Sequence, residues 1–483
     1  MMKNWAGKLW MAAAVVGMAS ASYAAEYRAG ELIVKYKDGT FRSRLMMNDL
    51  YTAAGVKHVK RMRGIMQGFE QVTLQDNVKM EDAMAEFTRS GAVEYVQPNY
   101  ILHIYPTHDS RVVAAAPHAA PPCIIPGIPF PPGCQDPTDP GNPGDPGNPG
   151  NPGNPGNPTP PTPPSDGGSR PAVKPAPADV VPAVADPELG RTYGMKVIGA
   201  LDAWKSFRGS KDIIVADIDT GIDYNHEDLA YNVWRNPNPT QGDVVGYDFT
   251  HNDGLPFDDH SHGTHTSGTI GAVGGNGIGV SGVAQRVSIM GLKFLTKEGS
   301  GTTADAVRAI DYAISHGAKI LSNSWGGKGD DGNNALQEAV ERARAKDVLF
   351  IAAAGNDGTN NDTDPSYPAA FTNDNMISVA ATDEKDRMAF FSNYGTKTTH
   401  LGAPGSNIYS TVPGNKYESM SGTSMACPHV AGAAAMIWAQ NPTWNYKQVK
   451  QALLASVDPL PALKGKVSTG GRLNLQKALR AGR

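Results

Sequence analysis

Ile320-Leu321-Ser322-Asn323-Ser324-Trp325 is a short, largely apolar run of the kind that fills a buried strand, and its neighbours decide which sheet it belongs to. Helical stretches flank it at Thr303–His316 and Asn334–Ala345, and a second apolar run, Val348–Ala354, follows the latter. Working outward, Ile213–Ile218, Val287–Leu295 and Met376–Ala381 are runs of the same type, and Ser424–Ala439 is a further helical stretch. Strands that are apolar on both faces and alternate with helices make a parallel sheet covered on both sides. The fold class read from residues 186–483 is therefore α/β. In such sheets the chemistry gathers at the carboxyl ends of the strands.

The chain has 483 residues, enough for two or three domains, and its 43 Lys+Arg against 47 Asp+Glu give a net charge of −4. With no long basic run, that balance argues against a nucleic-acid or membrane-surface protein. Three cysteines are too few to staple a chain of this size. Residues 1–24 read as a secretory signal peptide: Lys3 and Lys8 precede the apolar stretch Leu9–Ala19, and Ser22-Tyr23-Ala24 offers small side chains where a signal peptidase reads. That stretch is shorter than the roughly 20 residues of a spanning helix. An exported protein, extracellular or periplasmic and with no membrane span, is expected.

Residues 25–105 alternate in pattern. Glu31–Lys37, Phe69–Leu74 and Val93–Val96 predict strands, and Met80, Ala83, Met84 and Phe87 stand at helical spacing before the stop Ser90-Gly91. This is a small α+β domain. Residues 106–185 form a linker, expected to be disordered, in which the stretch Pro106–Pro182 holds 24 of the 37 prolines. Gly141–Pro158 within it repeats Gly-Asn-Pro, once as Gly-Asp-Pro, which reads as extended polyproline II or a short collagen-like run. Cys123 and Cys134 bracket a proline-rich loop, where they either pair locally or stay free.

Four clusters could carry chemistry. The first strand of the large region ends in Ile218-Asp219-Thr220-Gly221, where a carboxylate either orients a histidine or caps a turn. Asp258-Asp259-His260-Ser261-His262-Gly263-Thr264-His265 offers a free imidazole base or, less well spaced, a metal site. Gly422-Thr423-Ser424-Met425-Ala426-Cys427-Pro428-His429 leads into an Ala-rich helix. Ser424 there is an N-cap or a nucleophile set among free N–H groups, and Cys427 with His429 is the alternative nucleophile and base. Asn356, after Ala352-Ala353-Ala354-Gly355, has an amide that suits an oxyanion or a turn.

Taken together, in the order Asp219, His262, Ser424, these motifs resemble the subtilisin-like serine proteases, the subtilases, and the thermitase-like members among them. The resemblance covers Asp186–Arg483 and implies a subtilisin-like parallel sheet with helices on both faces. It implies a serine endopeptidase acting through an acyl-enzyme, with Ser424 as nucleophile, His262 as base and Asp219 as its orienting partner. The Asn356 amide and the Ser424 N–H would form the oxyanion hole. Protein and peptide substrates would lie extended between Gly299-Ser300-Gly301 and Ser324-Trp325-Gly326, with Ala353-Ala354-Gly355 lining the first specificity pocket.

Structural Ca²⁺ is the implied cofactor, held by Asp186, Asp228 and Asn276 and by the carbonyls of Gly274, Ile278 and Val280. A second, weaker site is implied at Asp248 and Asp253, where His251 and Phe257 stand in place of oxygen donors. Residues 26–105 resemble the family's propeptide inhibitor, a ferredoxin-like fold, through Glu31–Tyr36 and Val93–Tyr100. The protein's own propeptide would thus be a partner, in an otherwise monomeric enzyme made as a self-inhibited zymogen. A tether of about 80 residues, with a root-mean-square span of roughly 50 Å, keeps inhibition in cis effective. Two rival readings are a catalytically silent binding protein on the same fold and a metal-dependent hydrolase built on His260, His262, His265 and Asp258.

Overall fold

The computed structural model describes residues 25–38, 44–62, 68–105, 170–177, 185–328 and 333–481. The signal-peptide reading, the Gly-Asn-Pro repeat and the Cys123–Cys134 pair lie outside the described residues.

The N-terminal domain runs β1 (Tyr27–Tyr36), α1 (Arg44–Ala53), β2 (Val56–Arg61), β3 (Phe69–Leu74), α2 (Met80–Arg89) and β4 (Val93–Ile104). Its strands form one antiparallel sheet in the order β4-β1-β3-β2. Alternation along β1 sorts the side chains: Leu32, Val34 and Tyr36 pack with Phe87 and Ala83 of α2, while Ile33 points to the other face. Only the first part of β4 was predicted. It continues to Ile104 because its second half pairs with the rest of the molecule, a stabilisation that local composition does not show.

The large domain is built on β5 (Gly209–Asp219), β6 (Gly246–Asp248), β7 (Arg286–Lys293), β8 (Ser300–Thr302), β9 (Ile320–Asn323), β10 (Trp325–Gly326), β11 (Leu349–Ala353), β12 (Met376–Thr382), β13 (Leu401–Pro404), β14 (Ile408–Val412), β15 (Lys416–Met420), β16 (Asp458–Pro459) and β17 (Gly471–Arg472). The main sheet has the order β16-β17-β13-β12-β11-β9-β5-β7-β6, parallel throughout except for β16. One face carries the helices Thr303–Ser315 and Asn334–Ala345, which pack with Ala216, Leu321 and Phe350. The other face carries the buried helix Thr423–Gln440, whose Ala426, Val430 and Ala434 pack with Val215, Ile351 and Val379. Side chains therefore alternate between two cores, as strands covered on both faces require.

The two domains share one interface. Ile33 and Phe69, on the free face of the N-terminal sheet, join the core of the helices Thr303–Ser315 and Asn334–Ala345. Polar contacts finish those helix ends: the Asn99 side-chain Oδ1 accepts from Ala304 N–H at 3.0 Å, and the Gln97 side-chain Oε1 accepts from Ala335 N–H at 3.0 Å. N–H groups at a helix start have no partner within the helix, so the N-terminal domain supplies two of the missing acceptors.

Candidate active site

Asp219 is the last residue of β5, and His262 opens the helix His262–Gly271. His262 Nδ1 lies 2.8 Å from Asp219 Oδ1, which also accepts the Thr220 N–H at 2.7 Å, and both side chains are fully buried. Asp258 fixes the start of that helix, accepting N–H bonds from His260, Ser261 and Thr264 and hydroxyl bonds from Thr220 and Thr264. A Cβ on Gly263 would sit 2.1 Å from the Gly221 carbonyl, so strand end and helix start are in direct backbone contact. Burial opposes charging the His262 imidazole, but the charge and hydrogen bond of Asp219 outweigh it and hold the pKa above the ordinary value. Asp217, two residues earlier, accepts the hydroxyls of Thr266 and Ser267; burial and the Asp219 charge push it up to about 7.

Ser424 is the second residue of the helix Thr423–Gln440. Its Oγ donates to the Ser324 carbonyl at 3.1 Å, and Ser324 Oγ donates back to the Ser424 carbonyl at 2.9 Å. His262 Nε2 is buried without a hydrogen-bond partner among the described residues, so the serine–histidine bond is not made in this structure. Such bonds often close only in the reacting complex. Asn356 follows β11. Its Oδ1 accepts the N–H and the hydroxyl of Thr423 at 2.9 and 2.8 Å, which turns the amide nitrogen outward. A Cβ on Gly422 would lie 3.0 Å from Asn356 Nδ2 and 3.6 Å from Ser424 N. Two donors thus border one small space beside the serine.

The cleft is filled by the chain itself. Residues 101–104 of β4 run antiparallel between β8 and β10, pairing Ile101, Leu102 and His103 with Thr302, Gly301 and Ser300, and His103 and Ile104 with Gly326 and Trp325. Ile104 N–H donates to the Gly299 carbonyl at 2.8 Å. Tyr105 follows with its ring buried, its hydroxyl 3.0 Å from Ser366 Oγ. Glycine is required at 326, where a Cβ would stand 2.0 Å from the Tyr105 hydroxyl oxygen and 2.7 Å from the Tyr367 carbonyl, while Gly355 leaves ordinary contact room beside the ring. Ala353 and Ala354 are buried beside Gly355 at the end of β11.

A segment of a peptide bound as an extra strand, a buried Asp–His pair and a serine at a helix start are now in one place. The Subtilase family model matches residues 210–479, and the Fervidolysin N-terminal prodomain model matches residues 13–99. The chain belongs to the subtilase family. Thermitase of Thermoactinomyces vulgaris is 40% identical over 289 residues, covering 60% of this chain and 96% of that protein. The thermophilic serine proteinase of Bacillus sp. (strain AK1) is 39% identical over 291 residues, 60% of this chain and 67% of its own. Subtilisin-like protease 1 of Plasmodium falciparum (isolate 3D7) is 36% identical over 293 residues, 54% and 42% of the two chains. This is a subtilisin-like serine protease with an N-terminal prodomain.

The Trp325 backbone pairs with Ile104 of the bound strand, and its ring turns into the core. The side chain is fully buried, its Nε1–H donating to the Ile218 carbonyl at 2.8 Å and its ring edge-on to Phe294. Ser366, which no motif marks, meets the hydroxyl of the buried Tyr105. Cys427 and His429 do not form a pair: the thiol faces the Asn323 and Ile351 carbonyls and burial pushes it up to about 12, while His429 Nδ1 is bonded to the Met425 carbonyl. His265 Nε2 is likewise taken by the Ile408 carbonyl at 2.9 Å, and Asp258 is saturated by donors, so the four residues of the metallohydrolase reading do not converge.

The two carboxylates of the implied calcium site both lie against the 274–280 loop. Asp186 and Asp228 are buried, and Asp228 accepts from Asn276 Nδ2 at 2.8 Å and from Val280 N–H at 2.9 Å. Asp186 accepts from Gly275 N–H, and Asn276 Oδ1 accepts from Ile278 N–H at 2.8 Å; Gly274 opens the same loop. No basic side chain pairs with either carboxylate among the described residues, and burial together with Asp186 pushes Asp228 up to about 7. Two close buried carboxylates in a carbonyl-bearing loop are a donor set that fits a hard divalent cation. At Asp248 and Asp253 the outcome is different, because the guanidinium of Arg170 lies between them.

NMR titration of a Ser424→Ala protein is expected to place His262 above the ordinary histidine value of about 6.5. Asp219→Asn should lower it, since the largest charge and the hydrogen bond that oppose burial are then gone and only the Asp258 and Asp217 charges remain. A His262 pKa unchanged by Asp219→Asn would contradict the electrostatics described here.

Proposed function

We propose that this subtilase is an exported endopeptidase, held as a zymogen by its own prodomain, in which Asp219, His262 and Ser424 form the triad. The observation that carries the reading is the self-docked strand: a peptide already lies hydrogen-bonded between β8 and β10, ending in Tyr105, whose ring lies against Gly355 and whose hydroxyl meets Ser366. Ser424 Oγ would bond to the substrate carbonyl carbon while its proton passes to His262 Nε2. The C–N bond then breaks as the imidazolium returns that proton to the leaving amine, and water hydrolyses the acyl-enzyme with the same base. Asp219 holds the ring in place through its bond to Nδ1. Asn356 Nδ2 and Ser424 N–H would meet the oxyanion, and losing the Asn356 donor should lower kcat by about 10²–10³.

The seated tail also accounts for its own persistence. The bond after Tyr105 leads to Pro106, so the leaving nitrogen would be that of a proline ring, whose Cδ crowds the side from which a proton must arrive. Maturation then needs a cut elsewhere in the linker. Intact masses of the exported product are expected to show a shortened wild type, a Ser424→Ala protein that keeps the prodomain, and a Pro106→Ala protein with an added cut after Tyr105. Equal shortening of wild type and Ser424→Ala would refute self-processing. A wild-type product starting at Pro106 would refute the plug.

Main-chain pairing reads little sequence, but two pockets add preference. Leu102 is buried among Phe294 and Leu295 in the apolar core, and the Tyr105 hydroxyl meets Ser366. Peptides with tyrosine on the acyl side and leucine three residues earlier should be preferred. On the processed enzyme, kcat/KM for a Tyr peptide is expected to exceed that for its Phe analogue by roughly 3–10-fold, and Ser366→Ala should erase the difference. Equal rates in the wild type would remove this role from Ser366.

Structural Ca²⁺ is proposed at the side chains of Asp186, Asp228 and Asn276 with the carbonyls of Gly274, Ile278 and Val280. When bound, it would neutralise the buried carboxylates and tie residues 186 and 228 to the 274–280 loop. Chelation is expected to lower Tm by about 5–10 °C while activity at low temperature persists. Immediate loss of activity at an unchanged Tm would instead favour the metallohydrolase.

A further inference from the structure

The loop 248–258 runs from β6 to the residues that fix His262, and one side chain from far outside it is built into its centre. Arg170 Nη1 lies 3.0 Å from Asp248 Oδ2, 3.0 Å from Asp253 Oδ1 and 3.0 Å from the Leu255 carbonyl. Its Nη2 donates to Asp253 Oδ2. Asp248 is fully buried, so its charge needs a partner there. The remaining side chains do not suit a metal: His251 Nδ1 sits 2.8 Å from Asp248 Oδ2, the Phe257 side chain has no ligating atom, and calcium wants six to eight oxygens.

The residues after Arg170 are strapped down as well. Tyr224 donates its hydroxyl to the Pro171 carbonyl, Asn225 Nδ2 donates to the Ala172 carbonyl at 2.9 Å, and Lys174 N–H donates to Asn225 Oδ1 at 2.9 Å. Val173 packs on the core. Every one of these partners belongs to the peptidase domain and none to the prodomain. The boundary read from composition, with a linker reaching residue 185, therefore includes a stretch that is structurally part of the enzyme.

We infer that Arg170 is the built-in cation of the Asp248–Asp253 site, standing where a metal would otherwise be expected, and that residues 170–177 stay with the peptidase after maturation. The loop it pins leads directly to His262: the Pro256 carbonyl accepts Ile222 N–H at 2.9 Å, three residues after Asp219, and Asp258 holds the helix start. A guanidinium is charged at every working pH and does not dissociate into a chelator. The site is thereby made independent of the calcium supply, and the activating cut is confined to the N-terminal side of Arg170.

The maturation half of this inference rests on the zymogen reading, so the cation half is tested without any processing. Full-length Ser424→Ala protein and its Arg170→Ala and Arg170→Lys derivatives are melted with and without millimolar calcium. Arg170→Ala is expected to lower Tm by about 5–10 °C, Arg170→Lys by less, and added calcium should shift all three proteins equally. An Arg170→Ala melting point within 1 °C of the parent would overturn the inference; a calcium effect that selectively restores Arg170→Ala would support the cation role of Arg170 and overturn the statement that the remaining side chains do not suit a metal. Should Arg170→Ala not fold, Arg170→Lys carries the comparison. The mass of the wild-type mature enzyme decides the other half: a first residue at or before 170 supports it, and a stable enzyme beginning after Arg170 refutes it.

Discussion

A buried carboxylate has to be answered, and in this protein the hydrogen bond between Asp219 and His262 is the answer around which the rest is arranged. It brings the end of a central parallel strand to the start of a helix and holds both where water does not reach. Asp258 gathers the helix start, the contact of Gly221 with Gly263 removes the space in which the two could drift, and Arg170 ties down the loop between them. None of these residues needs to touch a substrate. Each narrows the freedom of one imidazole, the condition for placing a proton on a chosen atom.

Much of this was legible in the sequence because it is carried by local pattern. Apolar runs marked β5, β7, β9, β11 and β12, since strands covered on both faces leave no polar alternation to confuse the reading. The weaker strands escaped: β13 is Leu-Gly-Ala-Pro and β2 is half basic, and each exists because a neighbour pairs with it. The site residues were legible as motifs, but their orientations were not. That Ser424 faces Ser324, or that Trp325 turns its ring inward, follows from packing between segments about a hundred residues apart. Tyr105 with Ser366, and Arg170 with Asp248 and Asp253, are lone residues of unremarked type joined across 261 and about 80 positions, and no spacing rule reaches that far.

The same strand serves two architectures at once. The first half of β4 completes the antiparallel sheet of the prodomain, and the second half is the occupant of the protease cleft. Prodomain sheet and cleft occupant are therefore one continuous piece of backbone, and the tail cannot leave the cleft freely while the prodomain sheet stays docked. Pairing through the main chain also explains how a single cleft accepts its own tail and foreign peptides alike.

The acceptors that Gln97 and Asn99 lend to the helices Asn334–Ala345 and Thr303–Ser315 have a consequence for the enzyme once the prodomain is gone. Those helix ends, and the apolar surface under Ile33 and Phe69, form part of the native state but are completed by a segment that the proposed maturation would remove. A mature molecule that unfolds would then lack the partner for that surface, and its working life would be a matter of kinetic stability, set by the height of the unfolding barrier.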